Sequence, residues 1–446
     1  MTYVLLAIYF LVFLYLIKNW GFFKRSQLNP RFLQVVFTVK FLFTIILYLI
    51  YTKYYNDRST ADIFKYFDDS LVMVNALTES PIDYFKMLLS LGDNSEYFKN
   101  TYYGVMNHWY KEWDTPLFND NRTMIRINAL FGLFSFKNFH IHQLFSSFLS
   151  LIGLTAFYRF FKDKIRYKVI SSILFFFMPS LLLWASGMLK ETFIILFVGL
   201  FLISIKKIIQ NNHLKDRFLL VASFLVLLLL KPYIIILLTP FIASYYYVEK
   251  KELKKPYMAY IIIFVVALFF TITSRSILGE RYDILSEIFK KQADFIRLTQ
   301  IEQPGSILPV HELKPHLIDF ILASPRALYN TVILKLPWQS RSIMELLPLF
   351  ENLGLILLTL FALANSKWKS FYKNNHLLLT ISFGICMMLL IGWTTPVLGA
   401  IVRYRVPVLP FWLLSIFSVA GSIRIFDKIE ESSFYSWVIR INNGKD

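Results

Sequence analysis

The chain has one cysteine, little glycine and a shortage of acid. Cys386 sits in the apolar run ISFGICMMLL. With no second thiol it can form neither an intrachain disulfide nor a cysteine metal site, so it reads as a small lipid- or core-facing residue. Glycine numbers 15, against a usual share of about 7%. No Gly/Ser-rich linker, internal repeat or low-complexity tract marks a domain boundary, so residues 1–446 read as one unit. The phosphate-cradling pattern GxxxxGK[ST] is absent, and nothing calls for a nucleotide. Asp and Glu number 29 against 47 Lys and Arg, a net charge of +18. No basic run is interleaved with a nucleic-acid reader motif, so no nucleic-acid partner is expected.

Apolar sequence is what the chain has in excess: 56% of residues are hydrophobic, 18% are aromatic and the mean hydropathy is +0.52. Continuous apolar runs of about 17–21 residues recur, each long enough to cross a hydrocarbon core. They are not the alternating ten-residue segments of a β-barrel. The fold class expected is all-α, a polytopic helical membrane protein. Eleven spans are predicted near 2–18, 32–52, 140–158, 169–186, 191–205, 217–230, 233–248, 257–273, 345–365, 376–393 and 403–420. Residues 316–336 read as re-entrant or interfacial. MTYVLLAIYF has neither a basic start nor a small-residue cleavage site, so it reads as a retained helix.

Lysine and arginine concentrate in KNWGFFKRSQLNPR, RFFKDKIRYK, KKIIQNNHLKDR, EKKELKK and KWKSFYK. Eleven spans place all five segments on one side, together with the C-terminal tail. The positive-inside bias makes that side cytoplasmic. The expected location is the cytoplasmic (inner) membrane, with the N-terminus outside. Two long extracytoplasmic loops, 53–139 and 274–344, are rich in aromatics and should fold against the membrane.

The first long loop holds ADIFKYFDDS. Ser59 or Thr60 fits an N-cap, and Phe64, Phe67, Leu71 and Val74 share one face, as on a helix lying at the interface. Asp62 and Asp69, seven apart, share another face, with Asp68 beside it. They form either a solvated acidic face, with Lys65 pairing to Asp69, or a carboxylate site for a general base or a cation. Further on, His108, Glu112, Asp114 and Asp120 lie among aromatics. Trp109 and Trp113 read as interface-belt residues ahead of sugar-stacking ones, and His108 with Glu112 is a weak metal pair.

SGMLKE sets Lys190 and Glu191 side by side between apolar runs. Helix neighbours do not face one another, so a local pair is disfavoured. Orientation makes the segment a hairpin tip at the outer surface. Lys231, Arg403 and Arg405 fall on the same side, against the positive-inside trend. They either snorkel to anionic lipid or grip a phosphate, for which arginine offers two parallel donors. The second loop carries Arg326, Lys335 and Arg341 near Trp338, with no catalytic role assigned.

This arrangement resembles the GT-C class of polytopic membrane glycosyltransferases, including protein-mannosyltransferase-like members. The resemblance rests on ADIFKYFDDS, PSLLLWASGMLKE and GAIVRYRVPVLPF. It differs in one respect: an extra span precedes the acidic loop. The resemblance implies a polyprenyl-phosphate sugar donor and an extracytoplasmic glycan, lipid or protein acceptor. Asp62, Asp68, Asp69 and Glu191 would be the catalytic candidates. Lys190, Lys231, Arg403 and Arg405 would hold the lipid phosphate. No cofactor is assured, and a divalent cation is compatible with the carboxylates. The competing readings are a polysaccharide polymerase or ligase acting on lipid-pyrophosphate-linked glycans, a lipid-linked oligosaccharide transporter or flippase, and a non-catalytic scaffold. A transporter would favour charges at mid-span and matching halves, and the sequence shows neither clearly.

Overall fold

The structure is a computed structural model that describes residues 2–54, 58, 61–110, 119–340, 342–366 and 371–440. Among these no strand forms, and helices account for most of the chain. The main helices are α1 (Thr2–Asn19), α2 (Pro30–Leu49), α3 (Asp62–Glu79), α4 (Pro81–Leu89), α5 (Asp120–Ser135), α6 (Phe139–Phe161), α7 (Lys168–Phe176), α8 (Pro179–Trp184) and α9 (Lys190–Gln210). They continue with α10 (Leu214–Leu230), α11 (Pro232–Lys251), α12 (Pro256–Leu278), α13 (Ile284–Glu302), α14 (Leu317–Leu328), α15 (Ile343–Ala364), α16 (Asn375–Thr394), α17 (Leu398–Tyr404) and α18 (Leu409–Val419).

Among the described residues, six helices are long and apolar enough to cross a membrane: α2 with its π-helical extension, α6, α9, α12, α15 and α16. The bent pair α17–α18 would make a seventh. The other apolar runs of the sequence also fall on helices, but on short or interrupted ones. Proline accounts for most of the interruptions, because it removes a backbone donor and crowds the preceding turn. Pro179 separates α7 from α8, and Pro232 opens α11 directly after Lys231. Pro407 and Pro410 lie where α17 turns by 60° into α18.

The centre of the fold is α6 against α9. Buried residues make up 89% of the apolar window of α6 but only 6% of that of α12, so α6 is central and α12 peripheral. The α6–α9 crossing depends on small residues. A Cβ on Gly199 would lie 2.3 Å from the carbonyl oxygen of Gly153, and one on Gly153 would lie 2.6 Å from the Leu196 Cα.

Several of the basic segments share one end of the bundle. Lys162 donates to the Arg25 carbonyl, Lys206 pairs with Asp163, Arg166 pairs with Asp427, and Glu430 accepts from the Val169 N–H.

The first long loop is not a simple interfacial helix. Ile63, Phe64, Tyr66, Phe67, Met73 and Val74 of α3 are all buried, with α5 against one side: a Cβ on Gly132 would meet the Val74 side chain at 2.3 Å. Ala61 occupies the N-cap position without a side-chain hydrogen bond. Ser59, Thr60, Glu112, Trp113 and Asp114 lie outside the described residues. Trp109 is buried, not part of an exposed belt; it stacks on Tyr103 at 4.0 Å, with Arg122 and Arg126 over its ring. Residues 316–336 form α14 and a π-helical turn packed against α16, where Gly392 meets the Ala327 backbone.

Candidate functional site

Five separate stretches of chain bring charge to one place. The helix start at Asp62 supplies one carboxylate. Asn119 caps α5, accepting from the N–H groups of Asn121 and Arg122, which places Asp120 in the first turn. The unwound segment after α8 delivers Lys190 and Glu191 as the first residues of α9. Lys231 sits at the proline-enforced junction of α10 and α11, and α17 carries Arg403. The start of α17 is tied to the second long loop by hydrogen bonds from Leu308 N–H to the Pro396 carbonyl (2.7 Å) and from Leu398 N–H to the Ser306 carbonyl (2.9 Å).

Arg403 bridges two carboxylates. Its Nη1 donates to Asp62 Oδ2 at 2.7 Å. Its Nε lies 2.9 Å from Glu191 Oε1, an ion pair rather than an aligned hydrogen bond. The second Glu191 oxygen, Oε2, is buried and has no hydrogen-bond partner among the described residues. Lys190 Nζ donates to Asp120 Oδ2 at 2.5 Å and to Asn121 Oδ1 at 3.0 Å, and lies 5.4 Å from the Tyr66 ring centroid. Lys231 is held more loosely, 3.9 Å from Asp120 Oδ2, with its ammonium over the rings of Tyr404 and Tyr233.

Among the described residues, three carboxylates and three cations meet here. Glu191 is 2% exposed as a residue and Lys190 7%, whereas the Asp62 side chain keeps 28% of its surface. Burial by itself would raise the Asp62 carboxyl, but the charges of Arg403 and Lys190 outweigh it and hold the group at about 2. Paired in this way, Asp62 is ionised at neutral pH and a weak base.

The structure thus joins Asp62, Glu191, Lys190, Lys231 and Arg403, and it places Asp68, Asp69 and Arg405 elsewhere. Asp68 pairs with Arg58 at an exposed position. Asp69 is buried and accepts from the N–H groups of Asn107 and His108 at 3.0 and 2.8 Å, so it shapes the loop below α3 rather than pairing with Lys65. Burial raises its carboxyl, and those two N–H donors oppose the rise. Arg405 points to a second buried cluster, donating to Asn352 Oδ1 at 2.6 Å beside the Trp412 ring. Two residues apart on a helical turn, Arg403 and Arg405 point about 200° apart.

In SGMLKE neither charge points into water. Both charges are enclosed, and each is paired with a residue distant in sequence. Sequence reasoning did not single out Tyr66, Asn121, Tyr233 or Tyr404. Tyr66 had a usable signal, since it follows Asp62 by four residues and so shares its face. Among the described residues no group of three or more His, Cys, Asp or Glu is placed to hold a metal ion. A cavity of about 600 Å³ lies away from this cluster, lined by Lys254, Lys255, Tyr257, Tyr372 and Lys373. It is at the far end of α11, about 30 Å along the helix from Lys231.

No protein-family model, curated protein or solved structure matches the chain.

Proposed function

We propose that the protein is a membrane glycosyltransferase with eleven crossings, its N-terminus outside and its C-terminus cytoplasmic. It moves a sugar from a polyprenyl-phosphate donor to an extracytoplasmic acceptor. The observation that carries this reading is the convergence of Asp62, Glu191 and Asp120 with Arg403, Lys190 and Lys231, from distant stretches, at span ends. Ionisable groups enclosed at the ends of apolar helices are costly to bury and tend to serve function.

The balance of charge constrains how a phosphate would enter. Each cation already faces a carboxylate, so the donor must displace one. Asp62 is the partly exposed member and Glu191 the enclosed one, so Asp62 yields. Lys231, the most loosely held cation, receives the phosphate together with Arg403. Freed from Arg403, the Asp62 carboxyl rises toward its ordinary range and becomes a better base. It takes the proton of the acceptor hydroxyl as that oxygen bonds to the anomeric carbon. The bond from that carbon to the phosphate oxygen breaks, and the electron pair leaves on the lipid phosphate, stabilised by the cations. In this scheme donor binding itself activates the base.

The test uses purified protein in lipid nanodiscs with a panel of polyprenyl-phosphate sugars and mixed glycan, lipid and peptide acceptors. Asp62→Asn and Glu191→Gln are expected to lower product formation by about 10²-fold or more, the scale of general acid–base catalysis. Wild-type rates in both variants refute the assignment. Movement of an unmodified lipid-linked glycan across sealed vesicles, with no new glycosidic bond, points to the transporter reading.

A further inference from the structure

Lys40 lies in the middle of α2 and is fully buried, yet it forms no ion pair among the described residues. Lys40 is thus a mid-span charge that the reading of the sequence passed over; a cation within an apolar spanning helix is costly and marks a functional position by default. Its ammonium faces backbone instead. Nζ lies 3.1 Å from the Ala185 carbonyl oxygen and 3.4 Å from that of Leu181, at the C-terminal end of α8.

The unwound segment after α8 is held by further side chains. Ser150 donates to the Ala185 carbonyl, Ser147 to that of Ser186 at 3.1 Å, and Thr192 to that of Gly187 at 2.6 Å. Gly187 packs against the Gln143 side chain, whose Oε1 would lie 2.7 Å from an added Cβ. At the other end of α8, Glu351 accepts from the Ser180 N–H at 2.6 Å. The short helix thus has a carboxylate at its positive end and an ammonium at its negative end, each matched to the backbone dipole. The Ser150 hydroxyl already donates to the Ala185 carbonyl; Lys40 adds a second donor there and reaches the Leu181 carbonyl as well. The chain leaves this clamp and reaches Lys190 and Glu191 within five residues.

We infer that Lys40 is a positioning residue: its ammonium anchors the end of α8 and the segment 185–189, and so fixes where Lys190 and Glu191 meet Asp120 and Arg403. The functional part of this inference rests on the transferase reading of that cluster; the structural part does not.

Hydrogen exchange of the full chain in nanodiscs, followed by mass spectrometry, tests it. In Lys40→Met, segment 185–193 is expected to exchange about tenfold faster, the scale of a partly buried charge at a helix end, while residues 195–205 stay protected. In Lys40→Ala, ethylammonium restores protection and ethanol of similar size does not. Glu351→Gln, which releases the opposite end of α8, loosens the same segment. Unchanged exchange at 185–193 in folded Lys40→Met overturns the inference, as does equal rescue by ethanol and ethylammonium. If Lys40→Met does not fold, unchanged exchange in Glu351→Gln overturns it. In the transfer assay Lys40→Met lowers kcat while the KM for donor stays within about twofold, as expected for lost orientation. If the wild-type protein transfers no sugar but the exchange results hold, the transferase reading fails and the clamp stands.

Discussion

Replacing Arg403 with methionine removes a side chain that bridges Asp62 and Glu191. Asp62 keeps partial access to water, so its loss of a partner is softened. Glu191, 2% exposed, has no such relief. Breaking a buried pair from one side costs about 3–5 kcal/mol, because it strands an uncompensated charge. That corresponds to roughly two to three and a half orders of magnitude in the folding equilibrium. The informative comparison adds Glu191→Gln to Arg403→Met. The double variant strands no charge at the enclosed position, so most of the lost stability should return while activity stays lost. Arg403→Lys should fall between, since a single ammonium cannot reproduce a guanidinium spanning two carboxylates. Unfolding midpoints in one detergent, followed by tryptophan fluorescence, measure the series. A single Arg403→Met variant as stable as wild type would show that Glu191 is not enclosed with its charge. A double variant no more stable than the single one would show that the loss came from packing.

Asp68→Asn serves as the contrast: its pair with Arg58 is exposed, and such pairs contribute about 0–1 kcal/mol, so stability and transfer should stay near wild type. Gly199→Leu should prevent proper assembly, because its side chain would occupy the space of the Gly153 carbonyl; size-exclusion profiles in detergent would show the loss of a monodisperse species. Acid should act through Asp62. Its folded carboxyl is held at about 2, below the ordinary 3.8, so its contribution to stability is present above pH 4 and lost as pH falls toward 2. Asp62→Asn should flatten that part of the stability–pH curve, and an unchanged curve would contradict the Arg403 pairing. Trp109→Ala, which empties the stack with Tyr103, should cost about 3–5 kcal/mol, read as a lowered unfolding midpoint.

The apolar runs and the basic segments could be read directly from the sequence, because hydrophobic length and charge placement are local properties. From them came the helical membrane class, the acidic helix at Asp62, and the grouping of Lys190, Glu191, Lys231, Arg403 and Arg405 at one level, from which Arg405 departs in the structure. Other features depend on which surfaces meet. A run such as 169–186 is apolar throughout, but Pro179 splits it into two short helices, and the second stops at Trp184, leaving the Ala185 and Ser186 carbonyls to Lys40, Ser147 and Ser150. The choice among Asp62, Asp68 and Asp69 was equally invisible. The three lie within eight residues on one helix, and only the approach of α17 and the 107–108 backbone gives them different partners. The sequence by itself determined that charge would gather at one end of an apolar bundle. The tertiary structure alone decided which charges are enclosed together, because pairing between residues as distant as Asp62 and Arg403 is set by how the helices pack.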